Sequence, residues 1–441
     1  MRTANPHFRS DIEGMRAIAI VLVVGAHFAI PGFSAGFIGV DIFFVLSGFL
    51  ITGILVREYQ KNQLIHVSRF YANRFRRLFP ALAVVVMASS FMAAQILPDT
   101  QNLLQSKAAA MSVLWLSNIH FTFADVDYFA AETSSNAFLH TWSLGVEEQF
   151  YLLWPLIILT TLTLFARTQN TKSLWAMLGL IAGISLLACL HLSSVRPLFA
   201  FYMMPTRAWQ FAAGGMVWLM SQQQTASQSS ARVSGVTALV LLLAAMLFIT
   251  PDTIYPGLYA LLPTLATCAL LWAGSHTASS SHALLSYPAM QWVGRLSYAW
   301  YLWHWPVLIL GEHLLPIRGH WLYTLAALLL SLMLAIATHY TIENPIRFGS
   351  AKRVPPRWQI GASLALMVVC SSQLLRWYNE THDALNSEAR SVYMSAISDL
   401  PFFYSDDCDD WFHSDTLKPC RYGSETASKT AVLLGDSIGA Q

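Results

Sequence analysis

Residues 10–30, "SDIEGMRAIAIVLVVGAHFAI", form an apolar run of membrane length that nevertheless carries two ionisable side chains. Arg16 and His27 are 11 positions apart, so on a helix they share one face, about 16 Å apart along the axis. Side chains of this kind are costly in lipid and usually face a cavity or a substrate path. The alternative is that Arg16 extends to the membrane interface and that His27 is a satisfied interior group.

The composition is that of a membrane protein. Of 441 residues, 55% are hydrophobic and 11% are charged, and the mean hydropathy is +0.48, whereas soluble domains average about 25% charged residues. Ser10 and Glu13 have the spacing of a helix capping box, which favours an uncleaved first helix over a signal peptide. The chain has no basic tail, so we expect no nucleic-acid partner. We therefore predict an all-α polytopic membrane protein.

Apolar segments of about 20 residues recur along the chain and predict about eleven membrane-spanning helices. A polar, aromatic segment at 98–143 interrupts them, and a short apolar piece within it, 108–116, would change the count by one if it entered the membrane. The predicted spans are 12–30, 37–56, 79–97, 146–166, 174–192, 205–221, 233–250, 257–273, 293–311, 321–341 and 358–376.

The distribution of cations predicts the orientation, because loops rich in Arg and Lys face the cytoplasm. Segment 57–77 carries six such residues and segment 347–357 carries four. Both segments lie on the cytoplasmic side if the N-terminus does too, and the tail that follows an eleventh span is then outside. Cys408 and Cys420 fall in that tail, where an oxidising compartment permits a disulfide between them.

The segment "RFYANRFRRLFP" (69–80) is a dense arginine cluster on the predicted cytoplasmic side. Helical spacing places Arg69, Arg76 and Arg77 on one face. Guanidinium groups bind phosphate oxygens bidentately, so a phosphate-bearing ligand is one interpretation. The alternatives are that these arginines only fix the topology or that they bind anionic lipid headgroups.

Two adjacent carboxylates begin the predicted fourth span, in "LHTWSLGVEEQFYLLWP" (139–155). Glu147 shares a helical face with Tyr151, and Glu148 lies beside it. Carboxylates that enter a membrane are expensive unless they are paired. Arg16, Arg207 or a nearby histidine could pair with one of them, and His140 lies just before the helix. The alternative is one structural ion pair and one interfacial carboxylate.

The predicted ninth span, "GRLSYAWYLWHWP" (294–306), carries a polar stripe on an aromatic helix. Ser297, Tyr301 and His304 share one face, which is typical of a helix that lines a cavity or joins a buried network. Asp41, near the outer end of the second span, is either an interfacial carboxylate at a helix N-terminus or a member of the same interior. Such polar groups suit a membrane enzyme with a water-filled pocket, and they also suit a transporter.

Together these stretches closely resemble the acyltransferase-3 family of integral membrane acyltransferases. The similarity covers about residues 8–348 and is carried by Arg16 with His27, "GFIGVDIFFVLSGFLITG" (36–53), the arginine-rich stretch, "LHTWSLGVEEQFYLLWP", "GRLSYAWYLWHWP" and "IENPIR" (342–347). The resemblance implies a ten-helix acyltransferase domain over 1–348, followed by a linking region and an eleventh helix over 349–376. It also implies a bacterial inner-membrane location.

The resemblance also implies a reaction. The expected donor is an acyl-CoA, most simply acetyl-CoA, which acts as co-substrate without a permanently bound cofactor or metal. His27 is expected to act as general base or transient acyl carrier, poised by Arg16. The donor phosphates are expected to bind to Arg69, Arg74, Arg76 and Arg77. Two further catalytic residues are expected, Glu147 and Glu148. The pocket is expected to be lined by Asp41, Tyr151, Arg207, Ser297, Tyr301 and His304.

The C-terminal tail is similar to the start of an SGNH-type hydrolase domain. An extracytoplasmic linker over 377–429 would precede "TAVLLGDSIGAQ" (430–441), in which Ser437 is the candidate nucleophile. Ile438 stands where fused members often have histidine, and the given sequence ends at Gln441, before the later Asp and His of such a domain. A serine without its base is a poor nucleophile, so we expect no turnover by this tail alone. The resemblance implies O-acetylation of a surface glycan such as lipopolysaccharide O-antigen or peptidoglycan. The alternative function is a transporter or flippase, and the sequence leaves the oligomeric state open.

Overall fold

The computed structural model is helical and has no strand among the residues that it describes. It divides the chain into two units, Met1–Tyr378 and Asn379–Gln441. The first unit contains the helical bundle, and most of the second lies outside the described residues. The described residues are 9–124, 126, 128, 135–164, 171–223, 228–250, 252–275, 280–314, 321–387, 426 and 428–429.

Sixteen α-helices follow one another along the described parts of the chain. They are α1 (Ser10–His27), α2 (Gly39–Asn62), α3 (Val67–Ile96), α4 (Asp99–Val113), α5 (Ser117–Phe123), α6 (Trp142–Leu164), α7 (Thr171–Val195), α8 (Pro197–Tyr202), α9 (Met204–Gln223), α10 (Gln228–Phe248), α11 (Leu261–Ala273), α12 (Ser280–Leu285), α13 (Pro288–Leu314), α14 (Trp321–Thr338), α15 (Asn344–Phe348) and α16 (Pro356–Leu385). A π-helical segment, His339–Glu343, joins α14 to α15.

Each predicted span overlaps one of these helices, and the chain is a polytopic membrane protein. By length and apolar composition, six described helical stretches are able to cross a bilayer. They are Gly36–Asn62, Val67–Ile96, Thr171–Val195, Ser229–Phe248, Trp321–Arg353 and Pro356–Leu385. The count of eleven spans stays a prediction.

Helix α3 differs from its predicted span, because it begins at Val67 and not at residue 79. The arginine-rich stretch and the apolar stretch that follows it are therefore one continuous helix, with Pro80 inside it. The predicted boundary marked only the point at which the side chains become apolar. The consequence is that the arginines are held on a rigid element that continues into the bundle.

Glycines let the central helices approach until their backbones touch. A Cβ atom added to Gly48 of α2 would lie 2.0 Å from the carbonyl oxygen of Phe211 in α9. A Cβ on Gly294 of α13 would lie 1.9 Å from the carbonyl oxygen of Glu13 in α1. Small residues at such crossings are the usual basis of helix packing in membranes. They bring α2 against α9 and α13 against α1.

Candidate functional site

A cavity with both polar and apolar walls opens inside the bundle on the side at which α1 begins. Its volume is about 70 Å³, which is room for a few water molecules or for an acetyl-sized group. Helices α1, α2, α3, α6 and α13 supply the walls. The polar lining side chains are Arg16, Ser47, Arg74, Arg77, Ser143, Glu147, Tyr151, Ser297, Tyr298 and Tyr301.

Two cations on α3 give the cavity its positive charge. Arg74 and Arg77 lie about one turn apart, and the Arg74 guanidinium carbon is 4.9 Å from the centre of the Tyr151 ring. Among the described residues, no carboxylate lies within 4.0 Å of either guanidinium group. On α1, Arg16 has a partner, because its Nη1 lies 3.1 Å from Glu13 Oε2. Arg74 and Arg77 thus remain available to an anionic ligand.

The other two arginines of the predicted donor site point elsewhere. Arg69 is exposed, and Arg76 donates to Gln359 Oε1 at 2.8 Å and to Asn73 Oδ1 at 2.9 Å. Contrary to the prediction, Arg69 and Arg76 do not line the cavity with Arg74 and Arg77. The rotation of α3 is set by its buried apolar side chains, which include Phe70, Leu78 and Phe79.

Of the two adjacent carboxylates, Glu147 lines the cavity. The hydroxyl groups of Ser47 and Tyr151 both donate to Glu147 Oε1, and Ser47 Oγ lies 3.1 Å from the Tyr151 hydroxyl. Glu147 therefore pairs with neither of the arginines that the sequence offered for one of these carboxylates, because Arg16 contacts Glu13 and Arg207 contacts Asp41. Hydroxyl groups from α2 and α6 satisfy it instead. Glu148, one residue on, is attracted electrostatically by Arg74 and Arg77.

Tyr301 and Ser143 close the far end of the cavity. The Tyr301 hydroxyl donates to the carbonyl oxygen of His140 at 2.8 Å. Its oxygen lies 2.7 Å from Ser143 Oγ, which therefore donates to it. Ser297 also faces the cavity and is fully buried, and its hydroxyl has no hydrogen-bond partner in the described part of the chain. The wall thus carries several hydroxyl groups beside the cavity.

Three histidines lie beyond this wall. The rings of His27 and His304 are stacked, with centroids 5.0 Å apart and an interplanar angle of 3°. The ring of His140 meets that of His304 edge-on at 5.5 Å and lies 5.5 Å from the Tyr301 ring. His304 was predicted to line the pocket; instead it lies in this cluster and contacts His27. The cluster connects the cavity wall to the last residue of α1.

The hydrogen bonds of this cluster fix the tautomer of His27. His304 Nδ1 lies 3.2 Å from the carbonyl oxygen of Trp300, which can only accept, so His304 carries its proton on Nδ1. His304 Nε2 is then an acceptor, and it lies 2.8 Å from His27 Nδ1. His27 therefore has its proton on Nδ1 and an unprotonated Nε2. That nitrogen is the atom able to take a proton or to attack a carbonyl carbon.

Tyr128 is a contact that the sequence did not single out. Its hydroxyl lies 2.6 Å from His27 Nε2 and donates to it, because that nitrogen is unprotonated. Burial, and secondarily Tyr301, raise the pKa of Tyr128 far above its ordinary value, so it stays protonated. The aromatic character of segment 98–143 was the only signal for it. A hydroxyl group thus already occupies the position from which His27 would accept a proton.

Asp41 and Arg207 form a buried ion pair away from the cavity lining. Arg207 Nη1 lies 3.0 Å from Asp41 Oδ1, and both side chains are 1% exposed. Gln210 and Tyr255 also donate to the Asp41 carboxylate, and Arg207 Nε donates to the carbonyl oxygen of Phe201 at 3.1 Å. Contrary to the prediction, Asp41 and Arg207 do not line this cavity. Their network ties α2 to α9 and to the segment before α11.

Two predictions fall outside the described residues. These are the disulfide between Cys408 and Cys420 and the nucleophile Ser437. The three other cysteines, Cys189, Cys268 and Cys370, are free thiols within the helices.

Known proteins resemble this chain over the part that forms the bundle. It is 31% identical over 346 residues to the peptidoglycan O-acetyltransferase OatA of Listeria monocytogenes, covering 76% of this chain and 55% of that protein. It is 29% identical over 360 residues to the O-acetyltransferase OatA of Staphylococcus aureus, covering 78% and 58% respectively. The chain thus spans little more than half the length of these relatives. No solved structure matches it.

A family model described as an acyltransferase domain, of type 3, matches residues 9–340. These residues include α1 with Arg16 and His27, the arginine-bearing α3, the start of α6 with Glu147, and all of α13 with Ser297, Tyr301 and His304. The matched region therefore contains both the cavity and the histidine cluster. The resemblance seen in the sequence is confirmed, and the chain belongs to the acyltransferase-3 family.

Proposed function

We propose that this protein transfers an acetyl group from acetyl-CoA, bound on the side at which α1 begins, to a hydroxyl group of a cell-wall glycan. One observation carries this proposal. The cavity holds Arg74 and Arg77 of α3, which have no carboxylate partner among the described residues, and both this cavity and the unprotonated Nε2 of His27 lie beside α1 and α13. The first is suited to a phosphate-bearing donor and the second to proton removal or acyl capture.

The cavity accounts for the donor side. Arg74 and Arg77 would bind phosphate oxygens of CoA, while the acyl end of the thioester would enter the space between α2, α6 and α13. Hydroxyl groups of Ser297 and Tyr301 line that space and can hydrogen bond a thioester carbonyl or an amide of the pantetheine arm. Segments rich in Arg and Lys lie on this side, and such segments usually face the cytoplasm, so we assign this side to the cytoplasm.

His27 accounts for the acceptor side. An acceptor hydroxyl that replaced the Tyr128 hydroxyl would donate its proton to Nε2 and become a nucleophile. If Nε2 attacked the thioester instead, it would carry the acetyl group transiently before passing it on. Both roles use the same atom, and an acetyl group retained on His27 after removal of the acceptor would show that it is the carrier.

The names of the relatives support the acceptor class. One is named for O-acetylation of peptidoglycan, so we place a peptidoglycan hydroxyl ahead of lipopolysaccharide O-antigen. A transporter that moved an acyl or glycan substrate would form no ester. Incubating the purified protein with acetyl-CoA and unacetylated peptidoglycan fragments distinguishes the two. An enzyme releases one free CoA for each acetyl ester formed, whereas a transporter releases none.

A charge-removing substitution tests the donor site. Arg74→Gln and Arg77→Gln should each raise the apparent KM for acetyl-CoA, by about 10-fold for a lost charge-assisted hydrogen bond to phosphate. Little change is expected in kcat, because neither arginine contacts the histidine cluster. Steady-state kinetics with varied acetyl-CoA measure both constants.

Arg69→Gln is the matched control, since it removes an exposed arginine from the same helix. We expect its KM to stay within twofold of the unaltered protein. Equal KM values for all three variants would support the interpretation that the cluster only fixes the topology.

A further inference from the structure

His140 is a buried histidine whose ring nitrogens have no well-aligned hydrogen bond to any residue that the structure describes. The residue is 2% exposed, and neither Nδ1 nor Nε2 has a partner among the residues that the structure describes. A neutral imidazole has one N–H donor and one acceptor. Leaving a buried polar group unsatisfied costs about 1–3 kcal/mol. Such an exception in a folded protein requires an explanation.

Both the backbone and the ring of His140 are held in place by neighbouring residues. Its carbonyl oxygen accepts from the Tyr301 hydroxyl at 2.8 Å, and the residue lies in the 3₁₀ turn Leu139–Thr141 that leads directly into α6. The ring is fixed between the Tyr301 and His304 rings, at 5.5 Å from each. The orphaned nitrogens thus belong to a rigid group in a defined place.

That place is the boundary between the donor cavity and His27. Tyr301 lines the cavity, and His304 donates and accepts the hydrogen bonds that set the His27 tautomer. His140 contacts both residues. An acyl group that moves from the cavity toward His27 must pass the space around these rings.

We propose that His140 is a catalytic residue whose ring N–H donates to the acyl carbonyl oxygen during transfer; this inference rests on the proposed function. As the bond from the acyl carbon to the incoming nucleophile forms, negative charge collects on that oxygen; the carbonyl re-forms when the C–S bond breaks and the CoA thiolate leaves. The proton removed from the acceptor hydroxyl passes through His27 to the leaving CoA thiolate. An N–H group fixed in a water-poor site stabilises the oxyanion without reorganisation.

The ring must be neutral for this role, and its surroundings favour that form. A buried imidazolium is expensive without a carboxylate to pair with. The described neighbours that its ring contacts are the uncharged Tyr301 and His304. A neutral ring still has the one donor that the oxyanion requires.

His140→Phe tests the proposal, because phenylalanine keeps an aromatic ring and removes the polar atoms. The kcat for acetyl transfer from labelled acetyl-CoA to peptidoglycan fragments should fall about 100-fold, as for loss of one oxyanion donor. The KM for acetyl-CoA should stay within twofold. The melting temperature should not fall, because no hydrogen bond of the ring is lost and two unsatisfied atoms are removed.

Two further variants keep the test decisive. His140→Gln restores an N–H donor and should recover about 10-fold of the lost kcat. His339→Phe is the buried control: His339 Nδ1 lies 2.9 Å from Glu343 Oε2, so this variant should lose stability, which His140→Phe should not. A His140→Phe protein with kcat within threefold of the unaltered protein would overturn the proposal.

Two other results would also overturn the inference. One is a drop in melting temperature for His140→Phe as large as that for His339→Phe, which would show a structural role. The other is a His140→Gln variant that folds but recovers nothing. If the unaltered protein released no CoA at all, the proposed function itself would fail, and the two failures are thereby distinguished.

Discussion

Replacing His27 with alanine is expected to abolish acetyl transfer while the protein still folds and inserts. The substitution removes Nε2, which the hydrogen bonds of the histidine cluster leave ready to accept a proton. Loss of a general base costs about 100-fold to 10,000-fold in rate, and loss of an acyl carrier would stop the reaction. Since His27 does not line the cavity, the KM for acetyl-CoA should change little.

The measurement is the rate of acetyl ester formation on peptidoglycan fragments, beside the yield and the melting temperature of the purified protein. His191→Ala is the matched control, since it removes an exposed histidine from α7, and it should leave the rate unchanged. Normal acetylation by a well-folded His27→Ala protein would exclude His27 from the mechanism.

The second large effect concerns stability. Arg207→Met is expected to destabilise the bundle by about 3–5 kcal/mol, because it leaves the Asp41 carboxylate buried without its cation. The side chain of Asp41 is 1% exposed, so water cannot replace the lost partner. We expect a fall in melting temperature on the order of 5–10 °C, measured on the detergent-solubilised protein.

The control for this prediction is Arg196→Met, which removes an exposed arginine between α7 and α8 and should change the melting temperature little. The double variant Asp41→Asn with Arg207→Met removes both charges and should recover part of the loss. An Arg207→Met protein as stable as Arg196→Met would show that the pair contributes nothing to the fold.

The helices could be predicted from the sequence because the pattern that indicates them is local. An apolar run of membrane length predicts a helix whatever packs against it, and each predicted span overlaps a helix of the structure. Polar residues in such runs are also conspicuous, since their cost in lipid demands an interior role. Arg16, Ser297 and Tyr301 were singled out on that basis, and the structure places all three at the cavity.

The sequence did not indicate which residues would contact one another across the bundle. Glu147 is satisfied by Ser47, 100 positions away, and no local pattern favours that contact over an arginine. The rotation of α3 about its axis depends on which helices its apolar side chains contact. That rotation places Arg74, and not Arg69, at the cavity. Tyr128 and His140 lie in the segment before α6, where no periodic pattern indicates which side chains turn inward.

Sealed vesicles that contain the purified protein and labelled acetyl-CoA on one side test the central claim most directly. With peptidoglycan fragments only on the other side, the account predicts acetyl ester on those fragments, free CoA retained on the donor side in equal amount, and neither product with the His27→Ala protein. Intact acetyl-CoA appearing on the fragment side, with no ester formed, would contradict the account and identify a transporter.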